Sequence, residues 1–299
     1  MRVILVHNPA AGDAAHDRAS LIRVLETAGH QVEYVRSDGS SWEAALDSPA
    51  DLIAVAGGDG TIGKVARRLG AGAPPVAVLP AGTANNIATG LGIMEQSVEA
   101  LVARWADARL QPFDIGLLRS RDRAFRFVES VGLGLLADAI ATIDGDQRLA
   151  TEVARADDPV AAAVEVYRRV LRDLEPVPVE LRLDERDASG DYLLLEILTF
   201  GIAGPNLRLA PDAQFADGLL DVVLIEAGQR DDLIERLPLY RTNPLSAPRL
   251  PTLRARTISL SCRDRRMHVD DRLRPGCAND GSDRSADVSI EPGTVKFLI

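Results

Sequence analysis

Cysteine is nearly missing from this chain: 299 residues contain two, Cys262 and Cys277. They form no CxxC pair and no Cys/His cluster, which excludes a structural zinc centre of the usual spacing. They read as two thiols of a reducing compartment, with a disulfide between them as the alternative. Lysine is just as rare. Lys64 and Lys296 are the only two among 34 basic residues, a bias with no functional message. Positive charge is short overall: the formal net charge is −10, which speaks against nucleic acid as a partner and against bulk attraction to an anionic membrane. Long apolar runs are absent too. YLLLEILTFGIAG is short and interrupted by Glu196, well below the roughly 18–20 apolar residues of a membrane-spanning helix. No leader with a basic stretch, an apolar core and a cleavage site precedes the first strand, so a cytoplasmic protein is expected. The four histidines, His7, His16, His30 and His268, share no spacing that suggests a metal site or a triad, and read as surface or loop residues.

What is present is a change of grammar along the chain. In the first third, short Val/Ile/Leu runs (RVILVH, QVEYVR, DLIAVA, PVAVLP) alternate with amphipathic segments over short loops. That is the pattern of βαβ units around a mostly parallel sheet. One of these helices is expected to begin near Thr61, and Met94 to Ala106 reads as another. After about Gln111 alternating strands dominate: FDIGLLRS, AFRFVESVG, PVELRL, YLLLEILTFGI, LLDVVLIEA, RTISLSC, MHVDD, DVSIEP and VKFLI. They imply antiparallel sheets in a sandwich, interrupted by helical inserts at 159–174 and 230–240. Two domains follow: an α/β domain over 1–110 and a β-sandwich domain with helical inserts over 111–299.

In the α/β domain the polar glycine loops follow the carboxyl ends of strands, where open α/β sheets bind ligands. They are Asn8–Gly12, Gly57–Thr61 and Gly82–Asn86. Glycine lets backbone approach an anion, and the following helix presents N–H groups and a positive dipole end. Thr61, Thr83 and Asn85 can add side-chain hydrogen bonds or cap the helices. Within AVAGGDGTIGKVARRL, the stretch from Gly58 to Val65 imitates a P-loop. A P-loop needs Ser or Thr after its Lys to hold Mg²⁺, and here Val65 stands there. The Lys would also lie a turn inside the helix, and the motif follows the third strand. A second imitation, GLGLLA (Gly132–Ala137), matches a dinucleotide-binding pattern but lies among antiparallel strands. It reads as a glycine turn between a strand and a helix.

HNPAAG, GGDGTIGKV and LPAGTANNIATGLGI, in this order, resemble the diacylglycerol kinase catalytic domain, whose superfamily includes sphingosine kinases and, more distantly, NAD kinases and phosphofructokinases. The similarity continues through LRLAPDAQFADGLLDVVLI (207–225) and MHVDD (267–271). The resemblance implies a nucleotide-binding α/β domain, a β-sandwich lipid domain and an active site in the cleft between them. It implies transfer of the γ-phosphoryl group of ATP, with Mg²⁺, to a hydroxyl of a lipid such as diacylglycerol. It puts Asn8, Gly57, Gly58, Gly60 and Thr61 on nucleotide and phosphates, completed by Gly82, Thr83 and Asn85. Asp59 would organise Mg²⁺-ATP or the acceptor, Asp217 would hold a structural Mg²⁺, and Asp270 would be the general base. By residue type alone, Asp59 is equally a helix cap, Asp217-Gly218 a turn, and Asp270 a solvated hairpin residue. Two stretches depart from the family pattern: Gly63-Lys64 stands where many bacterial members read N-E, and the D-G-E stretch has become Asp270-Asp271-Arg272. A nucleotide-binding protein with altered or lost kinase activity, or a kinase of a non-lipid hydroxyl, are the alternatives.

Residues 236–274 hold ten Arg against Asp264, Asp270 and Asp271. This is a solvated basic face or, as the sharper reading, a peripheral contact with anionic lipid headgroups at the inner face of the membrane. Oligomeric state is not legible.

Overall fold

The computed structural model describes residues 1–12, 16–94, 96–120, 123–242, 247–262, 266–274 and 285–299. Cys277, Arg263 and Arg265 lie outside the described residues. The chain divides into two units, Met1–Asp114 with Pro292–Ile299, and Ile115–Glu291. The C-terminal segment thus packs with the first unit.

The first unit runs β1 (Arg2–His7), α1 (Arg18–Thr27), β2 (Gln31–Arg36), α2 (Trp42–Ala45), β3 (Leu52–Gly57), α3 (Asp59–Arg68), β4 (Val76–Pro80), α4 (Asn86–Gly90) and α5 (Val98–Ala103). Its strands are parallel in the order β4-β3-β1-β2. Every residue of β3 is buried, as in a parallel strand covered on both faces. Asp17 caps α1 by accepting from Ser20 N, and α1 buries Leu21 and Leu25. The helix expected over Met94–Ala106 is shorter, because Ser97 caps it through Ala100 N. The chain end pairs with β4 through Phe297 and Val76, and Phe113 meets Phe297 edge-on at 5.2 Å.

The second unit continues with β5 (Leu110–Ser120, begun in the first unit), β6 (Arg123–Phe127), β7 (Ser130–Gly134), α6 (Leu135–Gly145), α7 (Gln147–Arg155), α8 (Pro159–Asp173), β8 (Val177–Leu183), β9 (Arg186–Asp187) and β10 (Gly190–Leu198). Then come β11 (Ile202–Ala203), β12 (Leu207–Arg208), β13 (Leu220–Glu226), α9 (Arg230–Arg236), α10 (Leu239–Thr242), β14 (Thr252–Ala255), β15 (Thr257–Cys262), β16 (Met267–Val269), β17 (Arg272–Arg274) and β18 (Ser285–Leu298). Antiparallel pairing runs β17-β16-β7-β10-β8-β15-β18, with β13 on β10 and β14 on β13. The alternation of β8, buried at every second residue, shows one face in the core. On β10, Leu195 and Ile197 enter the core between strands. Leu194 and Leu198 enter a second core with α6, α8 and α9.

Several expectations are refined here. DVSIEP and VKFLI are one strand, β18, bent at Gly293 (φ 57°), whose N–H donates to Asp114 Oδ1 at 2.6 Å. The helix at 230–240 is two, interrupted before Pro238, which cannot donate inside a helix. AFRFVESVG is also two strands, separated at Val128-Glu129. α7, capped by Asp146, has no counterpart in the sequence reading.

Candidate functional site

In the first unit, the loops after β1, β3 and β4 meet at the carboxyl edge of the sheet. Gly58 and Gly82 touch backbone to backbone. A Cβ on Gly82 would lie 2.3 Å from Gly58 Cα, and one on Gly58 would lie 2.8 Å from Gly82 Cα. Ala81 N donates to Gly57 O at 3.0 Å. A Cβ on Gly12, itself at φ 82°, would come within 3.1 Å of Ala81 Cβ, so the third loop lies against the same point.

Side chains complete the lock. Asp59, the first residue of α3, accepts from Asn86 N through Oδ2 and from Ile87 N through Oδ1, both at 2.9 Å. It therefore caps α4 across the two loops. Its half-buried carboxyl is raised above the usual range by burial, while the N–H groups of Ile87 and Asn86 pull it down. Asn85 is buried at φ 53°. Its Oδ1 accepts from Gly82 N at 2.9 Å and its Nδ2 donates to Gly82 O at 2.7 Å. Thr61 is buried with its hydroxyl packed over Gly57, where a Cβ would lie 2.7 Å away. Asn8 accepts from Ala10 N through its side chain at 3.1 Å and from Ala11 N through its carbonyl at 3.0 Å. The solvent-facing members of these loops are Pro9, Ala10, Gly12, Gly60 and Thr83.

α3 begins at Asp59, two residues earlier than the sequence suggested. Lys64 is a turn further on and faces away from the loops. Its Nζ donates to Ser37 O and lies 4.4 Å from the Trp42 ring centroid. The P-loop likeness is therefore a coincidence of letters, and Lys64 joins α3 to the end of β2 and to α2.

In the second unit, Asp270 heads the β16–β17 hairpin at φ 51°. Its Oδ1 accepts from Val128 N at 3.0 Å, Glu129 N at 2.8 Å and Ser130 N at 3.4 Å, and Oδ2 makes a longer contact to Val128 N at 3.3 Å. The break between β6 and β7 creates this seat, because the N–H groups of residues 128–130 turn from the ladder to the carboxylate. Asp270 N returns a bond to Ser130 O at 2.8 Å. Asp271 and Arg272, which stand where the family has Gly and Glu, are exposed and 3.8 Å apart.

Asp217 accepts from Leu219 N at 3.0 Å and is paired with Arg254, whose Nε also lies 3.4 Å from Asp221 Oδ1. Gly218 turns at φ 71°. A divalent metal needs several oxygen acceptors. Here a guanidinium occupies the carboxylate, and the described residues contain no cluster of three or more His, Cys, Asp or Glu. These surroundings do not fit the Mg²⁺ role that the resemblance gives Asp217.

Two histidines correct the surface reading. His7 is buried, with Nδ1 3.1 Å from Tyr34 Oη, and burial lowers its pKa. His268 is 1% exposed and ion-paired at 3.0 Å with Glu196, the residue that interrupts the apolar run of β10 and is itself 0% exposed. Spacing could not reveal this pair, since 72 residues separate its members.

The description "Diacylglycerol kinase catalytic domain" matches residues 2–118, and "YegS C-terminal NAD kinase beta sandwich-like domain" matches residues 141–298. The chain is 26% identical over 242 residues to the diacylglycerol kinase of Bacillus subtilis, covering 78% of this chain and 76% of the relative. It is 24% identical over 281 residues to that of Mycobacterium tuberculosis, covering 90% and 88%. A YegS-like lipid kinase of Pseudomonas putida is 31% identical over 202 residues, 63% of each chain. In fold, a diacylglycerol kinase from Bacillus anthracis matches with TM-score 0.67 at 16% identity, over 99% of this chain and 96% of that one. An NAD kinase from Archaeoglobus fulgidus, solved in complex with ATP, matches with TM-score 0.55 at 14% identity, over 100% and 94%. Among the described residues no helix is long and apolar enough to cross a membrane.

Proposed function

The chain belongs to the family of diacylglycerol kinase and YegS-like lipid kinases, and from that premise we propose that it transfers the γ-phosphoryl group of ATP to a hydroxyl of diacylglycerol or a closely related lipid. The observation that carries this reading is the lock between Gly57–Thr61 and Gly82–Asn85. It brings two loops together at the carboxyl edge of a parallel sheet with no side chain between their glycines. Such an edge suits a polyphosphate, which backbone N–H groups and helix starts can bind without bulky neighbours.

Gly12, Gly60 and Thr83 are the exposed residues that meet the nucleotide, with Asn8 shaping the first loop and Gly57, Gly58, Thr61, Gly82 and Asn85 holding the other two. Asp59 is a positioning residue, because both its oxygens hold α4. Mg²⁺ enters with ATP and neutralises phosphate charge, which phosphoryl transfer requires more than covalent help from the protein. The bond from the γ-phosphorus to the acceptor oxygen forms, the bond to the bridging oxygen breaks, and ADP leaves. The hydroxyl proton passes to Asp270, and the three N–H bonds on Oδ1 keep that carboxylate in place while Oδ2 takes the proton. The retained seat of Asp270 supports activity despite the altered residues after it.

The Arg-rich segment supports membrane contact less than its composition suggests. Arg236, Arg241, Arg249, Arg254 and Arg272 each pair with an aspartate, and Arg274 stacks over Phe125. Exposed Arg256 and Arg266 remain candidates for an anionic headgroup.

The test is incubation with γ-labelled ATP and Mg²⁺ against diacylglycerol, a sphingoid base, a lipid extract and NAD. Label in diacylglycerol, lost in Asp270→Asn, is expected. Label in NAD alone, or nucleotide binding without transfer, overturns the reading.

A further inference from the structure

Glu196 of β10, Gly132 of β7 and His268 of β16 stand in one row of the sheet. Glu196 pairs with Gly132 on one side and His268 pairs with Gly132 on the other. The middle strand has no side chain there. A Cβ on Gly132 would lie 2.3 Å from Glu196 Oε2, so glycine alone leaves room for the two outer side chains to meet over it. This explains the first glycine of GLGLLA. Gly134, at φ 80° with Leu193 O 2.3 Å from any Cβ, opens α6.

Both nitrogens of His268 face acceptors: Nδ1 is 2.8 Å from the Asp270 carbonyl, and Nε2 is 3.1 Å from Glu196 Oε2. An imidazole that serves two acceptors must be doubly protonated, or its partner carboxyl must carry the proton. Either way the pair holds one proton between them. The Nδ1–H bond lands on the carbonyl of the residue whose left-handed backbone aims its carboxylate at Val128, Glu129 and Ser130.

We propose that Glu196 and His268 form a buried, protonated brace that positions Asp270, so that loss of its proton releases the Asp270 turn and lowers turnover. The inference rests on the role of Asp270 given above. Burial alone would lower the His268 pKa, but the Glu196 charge and its hydrogen bond, with the Asp270 carbonyl, leave it raised above 6.5. The other titratable groups that act on the pair or share its surroundings are the Asp270 carboxylate and Tyr167 on α8, with Asp144 on α6 and Glu129 acting on Tyr167 in turn. Tyr167's hydroxyl is held far above its usual range by burial and then by Glu196. Loss of the shared proton leaves one N–H for two acceptors; the buried Glu196 carboxylate takes it through Nε2, and Nδ1 then turns a lone pair to the Asp270 carbonyl, so the bond that holds the turn is lost.

The test uses the full-length protein. Long-range ¹H–¹⁵N spectra follow the four histidines through pH 5.5–9.5 while kcat and the KM for ATP are measured in the same buffers. His268 is expected to lose its proton above the ordinary histidine range of about 6.5, and kcat to fall in step while the KM for ATP stays constant. In Glu196→Gln both transitions move down by about one pH unit or more, a tenfold loss of proton affinity, and in His268→Gln the limb disappears. A kcat profile that ignores the His268 titration, or that Glu196→Gln leaves unmoved, overturns the brace. Full activity in Asp270→Asn instead removes the role of Asp270, and the two failures are thereby told apart. If the variants do not fold, coincidence of the spectral and kinetic transitions in the unaltered protein decides.

Discussion

Replacing Gly82 by alanine introduces one methyl group at the tightest point of the first unit. It would sit 2.3 Å from Gly58 Cα, 2.7 Å from Asn85 Oδ1 and 3.2 Å from Gly58 N. Carbon atoms in contact lie about 3.5–4.0 Å apart. The loops must therefore separate by more than about 1 Å, and two of the three obstacles are backbone that cannot rotate away. Gly82 does not have a positive φ, so no left-handed strain adds to the clash. Overpacking costs about 1–3 kcal/mol. Asn85 also loses good geometry in two hydrogen bonds worth about 1 kcal/mol each, which places the change toward the upper part of that range. At about 2–4 °C per kcal/mol for a chain of this order, the melting temperature should fall by roughly 4–12 °C. Affinity for ATP should fall with it, because the separated loops no longer present one surface. Gly70→Ala is the control: nothing lies within 4 Å of its Cβ position, so it should be neutral or slightly stabilising. Thermal denaturation and ATP titration calorimetry on both variants decide the matter. A Gly82→Ala protein with unaltered melting temperature and ATP affinity would refute the loop lock.

Four other outcomes follow from the same geometry. Lys64→Met should retain nucleotide binding and turnover while losing about 0.5–2 kcal/mol of stability with the Trp42 contact; abolished ATP binding would restore the P-loop reading. Asp59→Asn replaces one acceptor by an N–H₂ facing an N–H donor, and should raise the KM for ATP and destabilise by about 1–3 kcal/mol; an unchanged KM and melting curve would contradict its positioning role. Asp221, 3% exposed, has its pKa pushed up to about 6 by burial. A raised folded pKa adds stability below the unfolded value of about 3.9, which is lost as pH climbs through about 6. Asp221→Asn should therefore raise the melting temperature at pH 7.5 and flatten the slope between pH 4 and 7, and denaturation scans with no difference in that window would count against it. Since Arg254 occupies Asp217, EDTA should leave the melting temperature of the nucleotide-free protein unchanged, whereas a metal bound there would add stability by mass action.

The two-part fold was legible because hydrophobic period and turn residues change near residue 110, and local sequence controls both. The glycine loops were legible for the same reason, since they fall directly after strand patterns. The reading failed for two different reasons. Pro238 has no N–H to give and divides a helix locally, whereas Val128 and Glu129 leave the ladder because their N–H groups bond to Asp270, far along the chain. The roles inside the loops were less accessible. The family resemblance makes Asp59 and Asn85 ligand contacts, yet their side chains bind backbone. Asp217 looks like a metal ligand until Arg254, 37 residues away, is found on it.

By itself, the sequence determined the alternation of strands and helices, the positions of the glycines and the family. Each depends on neighbours a few residues apart. Only the tertiary structure decided which side chain meets which. It put Gly58 on Gly82, Lys64 on Trp42, and Glu196 on His268 across a glycine that neither could signal. These contacts depend on strand order and register, and a one-residue slip of β7 would remove the gap in which the buried pair meets.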